Sequence, residues 1–199
     1  MPQLLIATSN PGKAAELDAM LRGLRIKLVT PGILGIHLDV AETAHTYREN
    51  AALKARAYAL ASGLPTLADD SGLEVAPLNG LPGIRSARFA PFPNASDADR
   101  RAYLLENLAA HPRPWQARFV CITCLALPEG PLHFSEGICP GEITPHERGD
   151  NGFGYDPIFY LPERGCTMAE LPEEEKNRIS HRGRAIAALR PTLSQVLGE

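Results

Sequence analysis

Six consecutive residues near the start of the chain have the composition of a phosphate-binding loop. They lie between an apolar run at residues 4–7 and a helical pattern at residues 13–24, and are Thr8, Ser9, Asn10, Pro11, Gly12 and Lys13. A strand that passes through such a loop into a helix presents free backbone N–H groups and the positive helix end. Lys13 adds a full charge, so the segment predicts binding of a phosphate chain. An ordinary polar strand–helix turn has the same composition, and the P-loop and dinucleotide glycine patterns are absent.

Two adjacent carboxylates follow a short apolar run at residues 66–68. Asp69 and Asp70 begin the sequence Asp-Asp-Ser-Gly, which we interpret as a turn, and Glu42 is a third acidic residue earlier in the chain. Adjacent carboxylates repel each other unless a cation or basic group lies nearby. Mg²⁺ takes oxygen ligands and bridges protein carboxylates to substrate phosphates. Because consecutive side chains diverge, we expect one aspartate to contact a metal directly. An Asx-turn or a helix cap is the alternative interpretation.

A third segment, residues 149–157, has the sequence Gly-Asp-Asn-Gly-Phe-Gly-Tyr-Asp-Pro. Its three glycines let backbone and aromatic rings approach a flat ligand closely. An aromatic face stacks on any base, and a neighbouring polar group can read the edge of that base. The segment therefore predicts a base-binding loop. A structured loop whose aromatic rings lie in the core is the alternative.

Cationic residues near the end of the chain form the fourth candidate site. Ser180 is a predicted N-cap of the last helix, which places His181 and Arg182 in its first turn, and Lys176 precedes them. Cations at that end oppose the helix macrodipole. We therefore expect an anion or an acceptor group beside them, which favours a binding role over a solvated surface.

Alternating helical and strand patterns must position these four segments. Capping boxes predict helices that begin after Thr46 and Ser96, and a last helix runs to about residue 197 with a break or bend expected at Pro191. Short strands are predicted at residues 4–7, 26–29, 66–68, 117–127, 132–138 and 141–144. The mixture predicts an α/β or α+β fold with a mixed sheet.

Composition narrows the class of protein further. The chain has 199 residues, enough for one domain with a modest second lobe. Its net charge of −3 argues against a duplex-binding surface. We predict no membrane span, no targeting segment and a cytoplasmic location. Four cysteines are too few for a disulfide framework, and Cys121 and Cys124 lie in a predicted buried strand, where core filling is expected.

Six motifs in this order resemble the inosine triphosphate pyrophosphatase family, whose members are also called XTP/dITP diphosphatases. They are T-S-N-P-G-K, E-N-A-x-x-K-A (residues 49–55), A-D-D-S-G-L, L-P-G-I-x-S-A-R, G-F-G-Y-D-P and S-H-R-G. The resemblance covers residues 4 to about 197. It implies a single domain over residues 1–199, an α/β fold with an elongated mixed sheet flanked by helices, two lobes without a separating linker, a central cleft and a homodimer.

The resemblance also implies an activity and its residues. The activity is Mg²⁺-dependent hydrolysis of ITP, dITP and XTP to the monophosphate and pyrophosphate, which cleanses the nucleotide pool. Residues 8–13 cradle the triphosphate, Asp70 is the general base, and Glu42 and Asp70 bind Mg²⁺. The remaining substrate-binding residues are Ser71, Phe153, Gly154, Tyr155, Asp156, Lys176, His181 and Arg182. This chain has Ala-Glu-Thr-Ala at residues 41–44, where the family often has Glu-Glu-Thr-Gly.

These roles combine into a mechanistic hypothesis. Asp70 activates a water that attacks the α-phosphorus, while Lys13 and Lys176 assist at the phosphates. His181 and Arg182 donate to a 6-oxo group, which adenine lacks. One alternative is a septum-inhibitor-type nucleotide pyrophosphatase, although those enzymes lack the last two motifs. A module that senses nucleotides without hydrolysis is the other, and the intact carboxylates and lysines argue against it.

Overall fold

The computed structural model describes residues 1–198, and within them helices and strands alternate along the chain. In chain order the elements are β1 (Gln3–Ile6), α1 (Pro11–Leu21), β2 (Lys27–Val29), α2 (Tyr47–Ser62), β3 (Thr66–Val75), α3 (Asp97–Leu108), β4 (Trp115–Ala126), β5 (Leu132–Ile143), β6 (Phe159–Leu161), β7 (Cys166–Thr167), α4 (Glu173–Ile179) and α5 (His181–Leu197). No helix in this described part of the chain is long and apolar enough to cross a membrane.

The strands form one seven-stranded sheet in the order β2-β1-β3-β4-β5-β6-β7. Strand β1 pairs in parallel with both β2 and β3, whereas β5, β6 and β7 pair antiparallel. Parallel neighbours need a crossover connection, which α2 supplies before β3, while antiparallel neighbours can follow each other through short loops. The predicted α/β fold with a mixed sheet is therefore confirmed.

Capping residues set the bounds of two helices as the sequence predicts. Thr46 has extended backbone and its hydroxyl accepts the N–H of Glu49, and α2 ends at Gly63 with a φ of 68°. Glycine is favoured there because the left-handed conformation penalises residues with a Cβ atom. Ser96 and Asp99 form a reciprocal capping box at the start of α3. Each cap satisfies at least one backbone donor that would otherwise lack a partner at the helix N-terminus.

Three local predictions differ from the structure. The predicted turn at residues 69–72 is wrong, because β3 continues through these residues to Val75. The two strands predicted at 132–138 and 141–144 are one strand, β5, which contains Pro140. Helix α5 also continues through Pro191 to Leu197, so the chain has no break there. Residues of low local propensity are thus tolerated inside these elements, as tertiary context commonly allows.

The chain divides into two compact units. The first unit contains residues 1–70, 121–137 and those from 182 onward, and the second contains residues 71–120 and 138–181. Two apolar clusters lie in the first unit: one joins β1, α1 and α5, and the other packs small residues of α2 such as Ala51, Ala55 and Ala59. The second unit has a cluster rich in aromatic residues, including Trp115, Phe119 and Phe159. The central cleft stays a prediction.

Candidate active site

The predicted phosphate loop joins β1 to α1 in the first unit. Asn10 caps the helix, since its backbone is extended and its side-chain Oδ1 accepts the Lys13 N–H at 3.1 Å. Its own N–H donates to Thr8 Oγ1 at 3.2 Å. Pro11 occupies the first helical position, where a missing N–H has no consequence. The loop thus leads into a helix N-terminus, and its polar residues Ser9 and Asn10 are exposed. Such a site favours an anion.

An open cavity of about 630 Å³ lies beside this loop. Its lining comes from the loop, from residues 30–39 and from Tyr58 of α2, with Thr8, Ser9, Asn10, His37 and Asp39 as polar members. Neither Asp69 nor Asp70 lines it. The cavity therefore adds an open, partly polar space beside the loop, and the two aspartates are not part of its lining.

Asp69 is the centre of a buried ionic network. Its Oδ2 lies 3.0 Å from Lys13 Nζ and accepts hydrogen bonds from Arg182 Nε at 3.3 Å and Nη2 at 3.1 Å. Arg182 Nη1 donates to Glu16 of α1. Burial opposes ionisation of Asp69, but Lys13, Arg182 and Lys54 outweigh it and hold the pKa of this carboxyl well below its ordinary value. Asp69 is therefore ionised and holds Lys13 beside the phosphate loop.

Arg182 shows why a cation is tolerated in the first turn of α5. The residue is 1% exposed, and its guanidinium joins Glu16 to Asp69. The anion expected beside it is therefore supplied by two carboxylates of the protein itself. The planar guanidinium suits this place because its donors point in several fixed directions.

Asp70 has a different environment from its neighbour. It is 5% exposed, and Asn50 Nδ2 donates to its Oδ2 at 3.1 Å. The other end of the same amide, Oδ1, accepts the N–H of Ala44 at 3.1 Å. Burial raises the pKa of Asp70, and Lys54, Lys13 and the Asn50 hydrogen bond partly offset that effect. A raised pKa makes this carboxylate a better proton acceptor than an ordinary aspartate.

Lys54 extends from α2 one turn after Asn50. Its Nζ lies 2.6 Å from Glu42 Oε1 and donates to the backbone oxygen of Asp69 at 2.6 Å. Burial lowers the pKa of Lys54, but the charges of Asp69, Glu42 and Asp70 together raise it above its ordinary value. The ammonium is therefore charged, and it attracts the carboxylates of all three acidic residues.

Glu42 and Asp70 are the two carboxylates that the family resemblance assigns to Mg²⁺, and both lie within the influence of one cation, the Lys54 ammonium. No group of three or more His, Cys, Asp or Glu that could hold a metal occurs within residues 1–198. A metal with two carboxylate ligands would need waters or phosphates to complete its shell, which is how Mg²⁺ is commonly bound.

The predicted base-binding loop lies in the second unit and is fixed by one ion pair. Asp156 Oδ2 accepts Lys176 Nζ at 2.5 Å and the backbone N–H of Phe153 at 2.9 Å. The Lys176 ammonium also lies 5.0 Å from the centre of the Phe153 ring, a cation–π distance. Both charged side chains are buried, so one carboxylate sets the positions of the lysine and of the aromatic ring.

Gly152 allows this ion pair to form. Its φ is +77°, and a Cβ atom would lie 2.1 Å from Asp156 Oδ2 and 2.7 Å from Lys176 Nζ. Gly152→Ala is therefore expected to displace the pair and to raise KM for nucleotides about tenfold or more, since charged hydrogen bonds contribute about 1.5–3 kcal/mol. Steady-state kinetics with ITP measure this effect.

Gly165→Ala is the matched control for this substitution. Gly165 also has a positive φ, +67°, but an added Cβ would meet no atom within 4 Å, and the residue is outside the predicted site. Both variants therefore carry the backbone penalty of a left-handed alanine, about 1–2 kcal/mol. An equal change of KM in the two variants would show that the ion pair has no role in nucleotide binding.

Three other predicted residues have defined places in the second unit. Tyr155 is 5% exposed and its hydroxyl donates to the backbone oxygen of Ser86 at 2.9 Å, so its ring belongs to the core. The ring of His181 stacks on Phe119, with centroids 4.7 Å apart. Ser71 is half-buried and directly follows Asp70.

The predicted residues fall into two groups. Residues 8–13, Glu42, Asp70 and Arg182 belong to the first unit, whereas Ser71, residues 153–156, Lys176 and His181 belong to the second. Sequence reasoning assigned no role to Asn50, Lys54 or Glu16. The signal for the first two is the four-residue spacing within E-N-A-x-x-K-A, which places them on one helix face. The signal for Glu16 is its position in α1, directly before the buried Leu17.

The four cysteines form neither a disulfide nor a metal-binding group within the described residues. All four are free thiols. Cys121 Sγ contacts Asp69 Oδ2 at 3.8 Å, and burial, then the charge of Asp69, raises the pKa of this thiol to about 12. A thiol with so high a pKa stays protonated and is a poor nucleophile or metal ligand.

Comparison with known proteins relates the whole chain to one family. A model of the Ham1 family matches residues 4–192. A dITP/XTP pyrophosphatase of Deinococcus deserti is 49% identical over 187 residues, which cover 94% of this chain and 87% of that protein. A dITP/XTP pyrophosphatase of a Nostoc species is 45% identical over 195 residues, with 98% and 95% covered. The structure of a HAM1 protein from Coxiella burnetii superposes with a TM-score of 0.88 at 43% identity, covering 98% of this chain and 100% of that one.

Proposed function

The chain belongs to the Ham1 family, and on this premise we propose that it hydrolyses aberrant purine nucleoside triphosphates to the monophosphate and pyrophosphate. The substrates are ITP, dITP and XTP, in line with the names of its relatives. The observation that carries the proposal is the network around Asp69 and Asp70. It joins a buried, hydrogen-bonded carboxylate to two ammonium groups, one of them on the phosphate loop.

The proposed chemistry takes place at Asp70. This carboxylate accepts a proton from water, the water oxygen attacks the α-phosphorus, and the bond to the bridging oxygen breaks so that pyrophosphate leaves. Asn50 keeps the carboxylate oriented through its 3.1 Å hydrogen bond. Lys13, held by Asp69, offsets charge on the phosphates and on the leaving group.

We assign Mg²⁺ to the same place, with Glu42 and Asp70 as its protein ligands. When bound, the ion supplies positive charge to the phosphates and polarises their oxygens. This assignment rests on the family resemblance, and in the structure both carboxylates lie near a single cation, the Lys54 ammonium, which is 2.6 Å from Glu42 Oε1.

As the family resemblance implies, we assign base selection to Phe153, Lys176, His181 and Arg182. Phe153 offers a ring on which a purine can stack, and Lys176 and His181 are donors near that loop and at the start of α5. A donor aimed at a 6-oxo group finds no acceptor in adenine, and such a mismatch can discriminate by roughly 10⁴-fold. Arg182 is bound by Asp69 and Glu16 in this structure, so its role at the base rests on the family resemblance.

We propose further that the enzyme is a cytoplasmic homodimer that does not bind nucleic acid. The free thiols are typical of a reducing compartment, and the net charge of −3 is unfavourable for binding a phosphate backbone. The homodimer rests on the family resemblance.

The direct test is product analysis with ITP in the presence and absence of Mg²⁺. We expect IMP and pyrophosphate in equal amounts, and a rate that falls strongly when the metal is removed. Release of orthophosphate would identify a different phosphohydrolase, and binding without any product would support the sensing module.

A further inference from the structure

Helix α2 presents a cation to the acidic residues of the first unit. Asn50 and Lys54 are one turn apart, and the side chain of Lys54 is only 14% exposed. Its ammonium lies 2.6 Å from Glu42 Oε1 and 2.6 Å from the Asp69 carbonyl oxygen. A buried lysine is costly unless it is paired and hydrogen-bonded, and these two contacts satisfy that requirement.

The same contacts use a carboxylate that the proposed function assigns to a metal. An oxygen of Glu42 that is 2.6 Å from an ammonium cannot at the same time coordinate a divalent ion without placing two cations a few ångströms apart. Charges of +1 and +2 at such a distance repel each other strongly, even at the effective dielectric constant of about 20 that applies near a protein surface. The ion pair and the metal are therefore alternatives.

We propose that Lys54 is an internal counter-ion that holds Glu42 in the metal-free protein and competes with the divalent cation for it. The inference rests on the proposed function for the identity of the metal ligands. Lys54 is here a positioning residue, because it acts through Glu42. It keeps residues 41–44 close to α2 before any ligand arrives, together with the bond from the Ala44 N–H to Asn50.

This competition has a consequence for the order of binding. The free site binds a divalent ion weakly, since each ion must displace the ammonium from Glu42. A triphosphate removes that obstacle because its oxygens both ligate the ion and offer the released ammonium a new anion. The metal is therefore taken up mainly together with the nucleotide, and by linkage each strengthens the binding of the other.

The test measures binding of Mn²⁺ to the nucleotide-free protein through the EPR signal of the free ion. Lys54→Met keeps most of the aliphatic stem and removes the charge. We expect it to bind Mn²⁺ about tenfold or more tightly than wild type, because a nearby positive charge is lost. Lys27→Met is the matched control, since Lys27 lies on β2 and is exposed. It should bind Mn²⁺ as wild type does.

Further variants separate competition from a loss of structure. Lys54→Gln removes the same charge with a smaller, polar side chain and should show the same gain. Adding Glu42→Gln to Lys54→Met should abolish it. Mn²⁺ affinity in both Lys54 variants that equals or falls below that of wild type would overturn the inference. Pyrophosphate release from ITP by wild type is a separate measurement, so failure of the Lys54 inference leaves the proposed function standing.

Discussion

The Asp70→Asn protein is expected to bind ITP and to hydrolyse it about 10²–10⁴ times more slowly than wild type. A general base contributes a factor of that size, and the loss of the proposed metal ligand would add to it. Asparagine keeps the shape of the side chain and can still accept the hydrogen bond from Asn50, so the network of the first unit is retained. Single-turnover rates at saturating Mg²⁺, with nucleotide binding measured separately, distinguish the two effects.

Asp18→Asn is the control for this substitution. It makes the same chemical change on α1, at a side chain that is 60% exposed and pairs only with Arg22 among the interactions described. Its turnover should equal that of wild type. If Asp70→Asn retained a rate within about threefold of wild type, Asp70 would not be the base.

The two adjacent aspartates show what the sequence could and could not predict about the site. Because consecutive side chains diverge, the sequence predicted that the two aspartates have different partners. The sequence placed them in a turn, however, whereas they lie within β3. The partners that separate their roles come from α1, α2 and α5, at sequence distances of up to 113 residues. Such contacts leave no local periodicity in the sequence.

The Arg182→Ala protein is expected to lose about 3–5 kcal/mol of unfolding free energy. Removing one partner of a buried ion pair leaves the other charge poorly compensated, and here Glu16 and Asp69 both lose their contact with the guanidinium, while Lys13 still pairs with Asp69. The loss should be largest at neutral pH. The guanidinium helps to hold the pKa of Asp69 below its ordinary value, so without it this pKa rises in the folded state, and the deficit shrinks as the pH falls and Asp69 binds a proton. Urea denaturation at several pH values measures it.

Arg184→Ala, two residues later on α5 and exposed, is the control and should change stability by less than about 0.5 kcal/mol. Arg182→Lys should fall between the two, because it keeps the charge but cannot reach both carboxylates with a planar fork. A loss below about 1 kcal/mol in Arg182→Ala would mean that Arg182 does not organise the first unit, and its assignment to the base would gain support.

Secondary structure could be predicted best where the local sequence signals, such as caps and stop residues, agree with the packing. Helix α2 has a cap at Thr46, a stop at Gly63 and small residues on its buried face, and its predicted bounds match the structure. Residues 159–179 form two short strands and α4, which the sequence did not predict. Strands of two or three residues are too short for an alternating pattern. Helix α4 begins with Glu173, Glu174 and Glu175 and has little apolar periodicity.

The proposed enzyme prefers purines with a 6-oxo group. The ratio of kcat/KM for ITP to kcat/KM for ATP tests this preference most directly. Both nucleotides carry the same triphosphate, so the phosphate loop, Lys13 and Asp70 act on them equally. The ratio therefore reports base selection alone. We expect ITP, dITP and XTP to be hydrolysed with a kcat/KM roughly 10⁴ times that of ATP, with pyrophosphate as a product in each case. A ratio near one would contradict the account and would indicate a general nucleoside triphosphate pyrophosphohydrolase.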